Sequence, residues 1–302
     1  MILKNCMVGR MLYKQITYGI DNGIAIITLN RPEKLNAWTW VMAREVREAM
    51  YSAASDESVK VILLTGAGRG FCAGADMSEL ESAPDRESSN PEPNNQLSPE
   101  QQVSILMMTK TEEELDPENK NYNRDDFRKR YSYLLGINKP LIAAINGPAA
   151  GVGLVISLYC DIRFASDKAK FSTAFSRRGL IAEHGISWTL PRIVGVANAL
   201  DLLFSSRIID AQEALSMGLI NSVFPADNFM KSVMAYASQL AETVSPRSTR
   251  IIKRQVYNAQ FQNLAQACAD ADEELLLSLK SEDFQEGVSH FLEKRSPKFS
   301  GK

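Results

Sequence analysis

The chain of 302 residues has few cysteines and few histidines. Its cysteines are Cys6, Cys72, Cys160 and Cys268, and they are scattered without the close spacing of metal ligands. Only two histidines are present. We therefore expect no metal site, and isolated cysteines of this kind suit a reducing compartment, with the cytoplasm as the default location.

Long apolar runs and a strong charge of one sign are also absent. No stretch approaches the roughly 18 apolar residues that are needed to span a bilayer. Residues 1–10 lack the sustained apolar core of a secretory signal. The formal net charge is −2 and the pI is near 5.9, which gives no electrostatic reason to expect nucleic acid or an anionic membrane as a partner.

What the sequence does contain is apolar residues arranged with α/β periodicity. Apolar residues make up 45% of the chain, enough for the core of one large domain or of a domain with a lobe. Strand, turn and helix patterns alternate up to Pro225, which predicts a parallel-type α/β core, and only helices are predicted after it. The predicted strands are residues 24–29, 59–65, 141–145, 162–165 and 221–224, and the predicted helices are residues 40–54, 227–244, 246–259, 264–279 and 282–295.

Two glycine-rich turns carry the strongest chemical signal. Residues 68–76 (GRGFCAGAD) and 145–153 (INGPAAGVG) each follow a predicted strand and precede a predicted helix. Small residues let a ligand approach main-chain N–H groups at the start of a helix, although either turn alone is also explained as an ordinary connection. Together they predict an oxyanion hole, a pair of N–H donors that stabilises negative charge during acyl chemistry on a thioester.

Several ordered motifs resemble the crotonase superfamily, the enoyl-CoA hydratase/isomerase group. They are RPEKLNA (31–37), the two glycine-rich turns, CDIRFA (160–165) and DAQEALSMGLINSVFP (210–225), so the resemblance covers nearly the whole chain. It implies an α/β fold with a spiral core of ββα turns over residues 11–225 and a helical C-terminal lobe over residues 226–302. It also implies a homotrimer or a dimer of trimers. The implied substrate is an acyl-CoA thioester, and no separate cofactor is expected because coenzyme A is part of the substrate.

The sequence retains the family's oxyanion donors but lacks its two proton-transferring glutamates. Carried onto this sequence, the two oxyanion donors are the backbone N–H groups of Ala75 and Val152. Val152 stands where glycine is commonest, but only its amide is needed. The two glutamates that typical hydratases use for proton transfer are replaced by Val155 and Phe175.

Glu183, in RRGLIAEHGISW (177–188), is the leading catalytic candidate. Its position resembles that of the nucleophilic aspartate in the related 4-chlorobenzoyl-CoA dehalogenase. Phe175 and the adjacent His184 would leave the carboxylate little water and raise its pKa toward the range useful for acid/base work. The plainer interpretation is that Glu183 lies in the first turn of a helix and only complements the helix dipole.

Three further polar residues near these motifs have structural interpretations. His184 is either a packed or surface histidine or a partner that orients Glu183. Cys72 has no dedicated base, which favours packing over a role as nucleophile. Asp161 is expected to cap or bridge the structure.

The resemblance also implies where CoA binds. The family's groove uses the backbone of RPEKLNA and CAGAD and a lysine near the C-terminus, which here gives Lys34, Leu35, Ala37, Ala73, Ala75, Asp76 and Lys294. Asp76 is also the expected cap of the helix that follows, and Lys294 has a second interpretation as solvated surface charge.

Residues 82–130 form a polar, proline-punctuated insertion that is longer than the corresponding stretch of a typical hydratase. A long loop in a compact domain is usually functional or disordered. The insertion is therefore either a solvated loop or a lid that shapes acyl specificity.

Four functions fit these residues. The preferred one is hydration of a 2-enoyl-CoA with Glu183 as principal acid/base, and the alternative is a Δ3-Δ2 enoyl-CoA isomerase in which one glutamate moves the proton. A hydrolase or dehalogenase with Glu183 as nucleophile is a third hypothesis. A CoA-binding protein that has lost catalysis is the fourth, because Val155 and Phe175 are what such a loss would leave.

Overall fold

The computed structural model describes residues 13–77 and 124–302, which form a mixed α/β fold. The strands are β1 (Ile16–Asp21), β2 (Ile24–Leu29), β3 (Val61–Gly66), β4 (Leu141–Ile145), β5 (Ala149–Ala150), β6 (Ile162–Ser166), β7 (Lys170–Ser172), β8 (Ile209–Asp210) and β9 (Ser222–Phe224). The main sheet has the order β1-β2-β3-β4-β6-β9, and a small sheet joins β5, β7 and β8. Of the insertion at residues 82–130, expected to be a solvated loop or a lid, residues 82–123 lie outside the described residues.

The helices of the C-terminal part begin and end close to where the sequence predicts them. The third of the four helices predicted after Pro225, for example, begins at Leu264 and has Asn263 as its N-cap. The side chains of Asn263 and Gln266 each accept the other residue's backbone N–H, which forms a capping box. The helices are α1 (Trp40–Ser55), α2 (Tyr133–Gly136), α3 (Val152–Leu158), α4 (Ile186–Ser205), α5 (Ala211–Ser216), α6 (Phe229–Thr243), α7 (Pro246–Ala259), α8 (Leu264–Ser278) and α9 (Glu282–Glu293). Among them, none combines the length and the apolar character that a bilayer span requires.

Strand β1 is the main element that the sequence prediction missed. It pairs antiparallel with β2 at the edge of the sheet, with Asp21 opposite Ile24. The connection uses Asn22 and Gly23 with φ of 47° and 79°, the left-handed values of a tight hairpin turn. The Asn-Gly pair was the signal that could have revealed the hairpin.

The main sheet is buried on both faces. One face packs in the larger core with α1 and α3, and the other packs against α6. On that second face Phe229 and Val233 of α6 meet Ile24, Val61 and neighbouring strand residues. Helix α6 therefore packs directly on the sheet, and the division of the chain at residue 225 stays a prediction.

The sheet topology fixes where the two glycine-rich turns lie. Strands β3 and β4 are parallel neighbours, with Ile62 opposite Leu141 and Thr65 opposite Ala144. Because the carboxyl ends of adjacent parallel strands meet at one edge of a sheet, the segments that follow them start side by side. Open α/β sheets usually bind ligands at this edge.

Candidate active site at the two glycine-rich turns

The two glycine-rich turns are joined by main-chain hydrogen bonds. The N–H of Cys72 donates to the carbonyl of Pro148 at 3.1 Å, and the N–H of Ala150 donates to the carbonyl of Cys72 at 3.0 Å. A Cβ atom at Gly153 would lie 2.2 Å from the Cys72 carbonyl oxygen. Glycine is therefore required at residue 153 by the close approach of the two backbones.

Ala75 and Val152 lie directly after the point where the turns touch. A Cβ atom built on Gly151 would lie 3.8 Å from the Cα of Gly74, and both glycines have positive φ, 49° and 108°. In the part of the chain that the structure describes, neither the Ala75 N–H nor the Val152 N–H has a hydrogen-bond acceptor. Val152 is the first residue of α3, where helices leave N–H groups unpaired. Two such donors on adjoining turns are what an oxyanion hole requires.

The segment around residues 31–37 is attached to the first glycine-rich turn. The N–H of Ala73 donates to the carbonyl of Leu35 at 3.0 Å. Trp38 then bridges the turn, because its N–H donates to Gly74 at 2.7 Å and its carbonyl accepts the N–H of Asp76 at 2.9 Å. These bonds bring the predicted CoA-binding residues of both segments together.

Asp76 forms an ion pair with Arg31, which belongs to the same two segments. Its Oδ2 lies 2.8 Å from Nη2 of Arg31, whose Nη1 also donates to the carbonyl of Ala37 at 2.7 Å. Lys34 is exposed at the end of a short 3-10 turn. The residues that follow Met77, where Asp76 was expected to cap a helix, lie outside the described ranges. Lys294 is the left-handed C-cap residue that follows α9.

Glu183 lies in the loop before α4 and not in the helix. Gly185 is the N-cap of α4, and the first turn of that helix holds no acidic residue. The carbonyl of Glu183 accepts the N–H of Ile186 at 3.1 Å. The interpretation that placed Glu183 in the first helical turn is therefore wrong, because the left-handed Gly185 starts the helix two residues later.

The Glu183 carboxylate is partly shielded from water. Its side chain is 30% exposed, and Oε2 lies 3.5 Å from Nε2 of His184. Burial raises the pKa of Glu183, while the positive charge of Arg130 opposes the rise. A rise in pKa makes the carboxylate a stronger proton acceptor, and its protonated form can then return the proton.

His184 is held in one position beside this carboxylate. Its backbone has a φ of 58°, and its carbonyl oxygen accepts a hydrogen bond from the Tyr159 hydroxyl at 2.8 Å. Its ring packs edge to face with the rings of Tyr131 and Phe175, at centroid distances of 5.1 and 6.5 Å. Burial, assisted by Arg130, lowers the pKa of His184 from 6.5 to about 4. The imidazole is therefore neutral at pH 7, and its contact with Glu183 supports the interpretation of His184 as an orienting partner.

The positions of the usual glutamates are apolar and closed. Val155 is completely buried in α3, and Phe175 is 5% exposed. Cys72 is also completely buried, and burial raises the pKa of its thiol to about 12, which supports packing over a nucleophilic role. Within residues 13–77 and 124–302, no cluster of three or more acidic, histidine or cysteine side chains could hold a metal ion.

An apolar cavity of about 440 Å³ is lined by Ala182, the residue before Glu183 in the sequence. Phe175, Ile181 and Ala182 form one side of it, and residues of α4, among them Leu200 and Phe204, form the other. Ligand sites commonly have volumes of roughly 300–1,000 Å³ and mostly apolar walls. The cavity can therefore take a hydrocarbon group.

Two aromatic residues that the sequence did not single out, Trp38 and Tyr131, lie between the turns and Glu183. Tyr131 is 5% exposed, and its ring lies 5.1 Å from His184 and 6.2 Å from Trp38. Trp38 was passed over although it follows the RPEKLNA motif directly, and Tyr131 follows the polar insertion without any motif of its own. Proximity of Trp38 to a recognised motif was the signal that could have found it.

Comparisons with known proteins show the family to which the chain belongs. The family model described as enoyl-CoA hydratase/isomerase matches residues 19–106 and 106–302. The chain is 34% identical over 284 residues to the 1,2-epoxyphenylacetyl-CoA isomerase of Escherichia coli, covering 94% of this chain and 97% of that protein. It is also 34% identical over 293 residues to a probable enoyl-CoA hydratase of Rhodobacter capsulatus, covering 97% and 100% of the two chains.

Solved structures show the same fold. The enoyl-CoA hydratase from Bacillus anthracis superposes with a TM-score of 0.78 at 26% identity, and the match covers 96% of this chain and 100% of that chain. An enoyl-CoA hydratase subunit from Geobacillus kaustophilus gives a TM-score of 0.77 at 30% identity, with 96% and 99% covered. The chain therefore belongs to the enoyl-CoA hydratase/isomerase family of the crotonase superfamily, as its sequence and structural similarities and the two hydrogen-bonded glycine-rich turns indicate.

Proposed function

We propose that the protein is a Δ3-Δ2 enoyl-CoA isomerase. The observation that carries this proposal is that Glu183 supplies one carboxylate with a raised pKa, while Val155 and Phe175 supply none. Isomerisation needs one group that removes a proton and returns it to another carbon. Hydration in typical members of the family divides this work between two glutamates.

The proposed reaction uses the two unpaired amides and Glu183 together. The thioester carbonyl accepts hydrogen bonds from the Ala75 and Val152 N–H groups, so negative charge that forms on the oxygen is stabilised. The ionised Glu183 carboxylate removes a proton from the α-carbon, and the protonated carboxyl returns a proton to the γ-carbon. The double bond moves from the β,γ to the α,β position, and the mass of the substrate does not change.

The neighbours of Glu183 support this role. The neutral imidazole of His184 has an N–H available to face the carboxylate, 3.5 Å away, without adding a positive charge that would keep Glu183 ionised. The apolar cavity beside Phe175 and Ala182 suits an acyl chain. The bound CoA would follow the grouped residues Lys34, Leu35, Ala37, Ala73, Ala75 and Asp76, with Lys294 approaching its phosphates, and no separate cofactor takes part.

Hydration of a 2-enoyl-CoA is the second candidate, and the relatives named as probable enoyl-CoA hydratases favour it. In that reaction water adds to the β-carbon and Glu183 acts as the principal acid and base. The two reactions share the substrate class and the oxyanion donors. They differ in whether the product gains the mass of water.

The first experiment incubates the purified protein with trans-2- and trans-3-enoyl-CoA esters of several chain lengths and identifies the products by mass. We expect the 3-enoyl esters to become 2-enoyl esters of unchanged mass. A gain of one water would establish hydration instead. If neither substrate class reacts while acyl-CoA binds, the protein is a binding protein and the proposal is wrong.

Replacement of Glu183 tests its role in the same assay. Because general acid/base catalysis contributes about 10²–10⁴ in rate, we expect Glu183→Gln to lower kcat by that factor with little change in KM. Glu242→Gln, an exposed glutamate on α6, is the matched control and should keep the wild-type kcat. Unchanged turnover in Glu183→Gln would show that Glu183 is structural.

A further inference from the structure

Two buried side chains of the candidate site carry polar hydrogens that have no acceptor among the described residues. The indole Nε1 of Trp38 is buried and forms no hydrogen bond to any of these residues, and the whole residue is only 6% exposed. Tyr131 is 5% exposed, and its hydroxyl donates no hydrogen bond to any residue that the structure describes. Buried donors are normally satisfied, so each such group in a native site calls for an explanation.

The two side chains lie against each other and between the two halves of the site. Their rings meet edge to face at a centroid distance of 6.2 Å. Trp38 is tied through its backbone to Gly74 and Asp76, on either side of Ala75. Tyr131 contacts the His184 ring at 5.1 Å. A group that reaches both donors therefore lies between the oxyanion turn and the Glu183 loop.

The backbone of Tyr131 is held rigidly, so its hydroxyl is a placed donor. The Ser132 hydroxyl donates to the Asp126 carbonyl at 2.5 Å and accepts the N–H of Lys129 at 3.1 Å, which closes the turn before Tyr131. Arg47 of α1 donates to the Arg130 carbonyl at 2.9 Å. A donor on a fixed backbone is preorganised, which reduces the loss of freedom on binding.

The chemistry of the pair selects an acceptor and not a cation. Burial raises the pKa of Tyr131, so the phenol stays protonated at neutral pH. The Trp38 indole offsets part of that rise but meets the phenol outside hydrogen-bonding geometry. An indole N–H donates only, and the phenol retains a hydrogen to donate. The complementary ligand atom is a neutral or anionic oxygen.

We propose that Tyr131 and Trp38 form a donor pair that binds an oxygen atom on the acyl group, so that the preferred substrates are CoA thioesters of oxygen-bearing acyl chains, such as those with hydroxyl, carbonyl or ether oxygens. This inference rests on the proposed acyl-CoA site. A site with buried donors discriminates strongly against an analogue that lacks the acceptor, because the donors are then left unpaired. The donor pair is thus a determinant of specificity.

Binding of saturated thioesters tests the pair without requiring turnover. Dissociation constants of hexanoyl-CoA and of its 5-hydroxy and 6-hydroxy derivatives are measured by calorimetry for the wild type, Tyr131→Phe and Tyr133→Phe. We expect at least one hydroxy derivative to bind the wild type about tenfold more tightly than hexanoyl-CoA, and Tyr131→Phe to remove most of that preference. Tyr133 is the matched control, since it is equally buried but packs on Tyr51 and under Arg47.

Each outcome decides the matter. Equal weakening of all thioesters by Tyr131→Phe, or no preference in the wild type, would show that the two aromatic residues only pack. The Trp38→Phe variant separates the two donors. If it still binds the hydroxy derivative more tightly than hexanoyl-CoA while Tyr131→Phe does not, Tyr131 alone is the donor and the proposed pair is wrong. A preserved preference without turnover would contradict the proposed isomerase and leave the donor pair standing, whereas failure to bind any of these thioesters contradicts both.

Discussion

At the scale of the residue, His184 shows how burial sets the chemistry of the site. An exposed histidine is partly protonated near neutral pH, but His184 is surrounded by aromatic rings and lies near the positive charge of Arg130. Its neutral form is therefore favoured. A protonated imidazole would hold Glu183 ionised, while a neutral one lets the carboxyl return a proton.

The depressed pKa of His184 predicts a dependence of stability on pH. Between pH 6.5 and about 4 the unfolded chain takes up a proton on this residue that the folded protein does not, so the free energy of unfolding falls as the pH is lowered through this window. The expected loss from this group is about 3 kcal/mol, and it is absent above pH 6.5. Denaturant unfolding at pH 7 and pH 4.5 measures it.

The variant His184→Gln should lose less stability on acidification than the wild type, because its side chain takes up no proton in this window. His290→Gln replaces the second histidine and should keep the wild-type difference between the two pH values. If His184→Gln and the wild type lose equal stability, the depressed pKa does not contribute. Glu183, whose pKa is raised, acts in the opposite direction and is common to both proteins.

At the scale of the element, helix α7 is fixed to the sheet by a buried charge. Nζ of Lys253 lies 2.9 Å from Oδ2 of Asp161 and donates to the Leu134 carbonyl at 3.3 Å. Asp161 also accepts the N–H of Leu141 at 2.7 Å and the Tyr257 hydroxyl at 2.9 Å. The expectation that Asp161 bridges the structure is confirmed, and the bridge joins α7 to the start of β4.

The same helix supports the segment that carries Tyr131. Phe127 packs edge to face on Tyr257 and on Phe261, at 6.5 and 6.1 Å, and Phe261 stacks on Trp188 of α4 at 5.6 Å. The end of α7 therefore contacts both the segment before Tyr131 and the helix after Glu183. Loosening α7 is expected to disturb both sides of the site.

Replacement of Lys253 tests the anchor. Lys253→Met leaves the partly buried Asp161 carboxylate without its cation, and removal of one partner of a buried pair commonly costs about 3 kcal/mol or more. We expect the free energy of unfolding to fall by about that amount, measured by denaturant titration. Arg250→Met, an exposed change on the same helix, should leave stability within about 0.5 kcal/mol. Similar values for the two variants would show that the pair does not anchor α7.

At the scale of the whole molecule, the described chain leaves large apolar side chains exposed on its outer helices. On and after α4 these are Val196, Phe204 and Ile208, with 65%, 75% and 66% of their surface exposed. Phe291 and Leu292 of α9 are 77% and 73% exposed. Large exposed apolar side chains that are grouped on one helix are typical of protein interfaces. It supports the proposal that copies of the chain associate as a homotrimer or a dimer of trimers.

The apolar face of α4 gives a test of that assembly. We expect light scattering on the eluting protein to give a mass of three or six times the 33.5 kDa chain. Ile208→Glu places a charge just after α4, outside the cavity, and should reduce the mass to that of smaller species, while the exposed Lys231→Glu on α6 should not. A wild-type mass of one chain would contradict the assembly, and an unchanged mass in Ile208→Glu would place the interface elsewhere.

The sequence by itself determined the local features whose physical cause is local. The glycine-rich turns, the capped helices after Pro225 and strands β2 and β4 depend on nearby residues, because left-handed backbone, helix capping and apolar periodicity are properties of short segments. Strand β1 carried two such signals, the alternation of Ile16, Tyr18 and Ile20 and the Asn22-Gly23 turn that follows it.

Only the tertiary structure decided which side chains meet and which polar groups are left unpaired. Trp38, Tyr131 and His184 are far apart in the sequence, and their rings come together because parallel strands, α7 and the turn at residues 124–131 pack against one another. The raised pKa of Glu183 and the neutral state of His184 depend on burial by those distant residues. A residue's desolvation is set by everything that packs around it, and no pattern within a short segment records it.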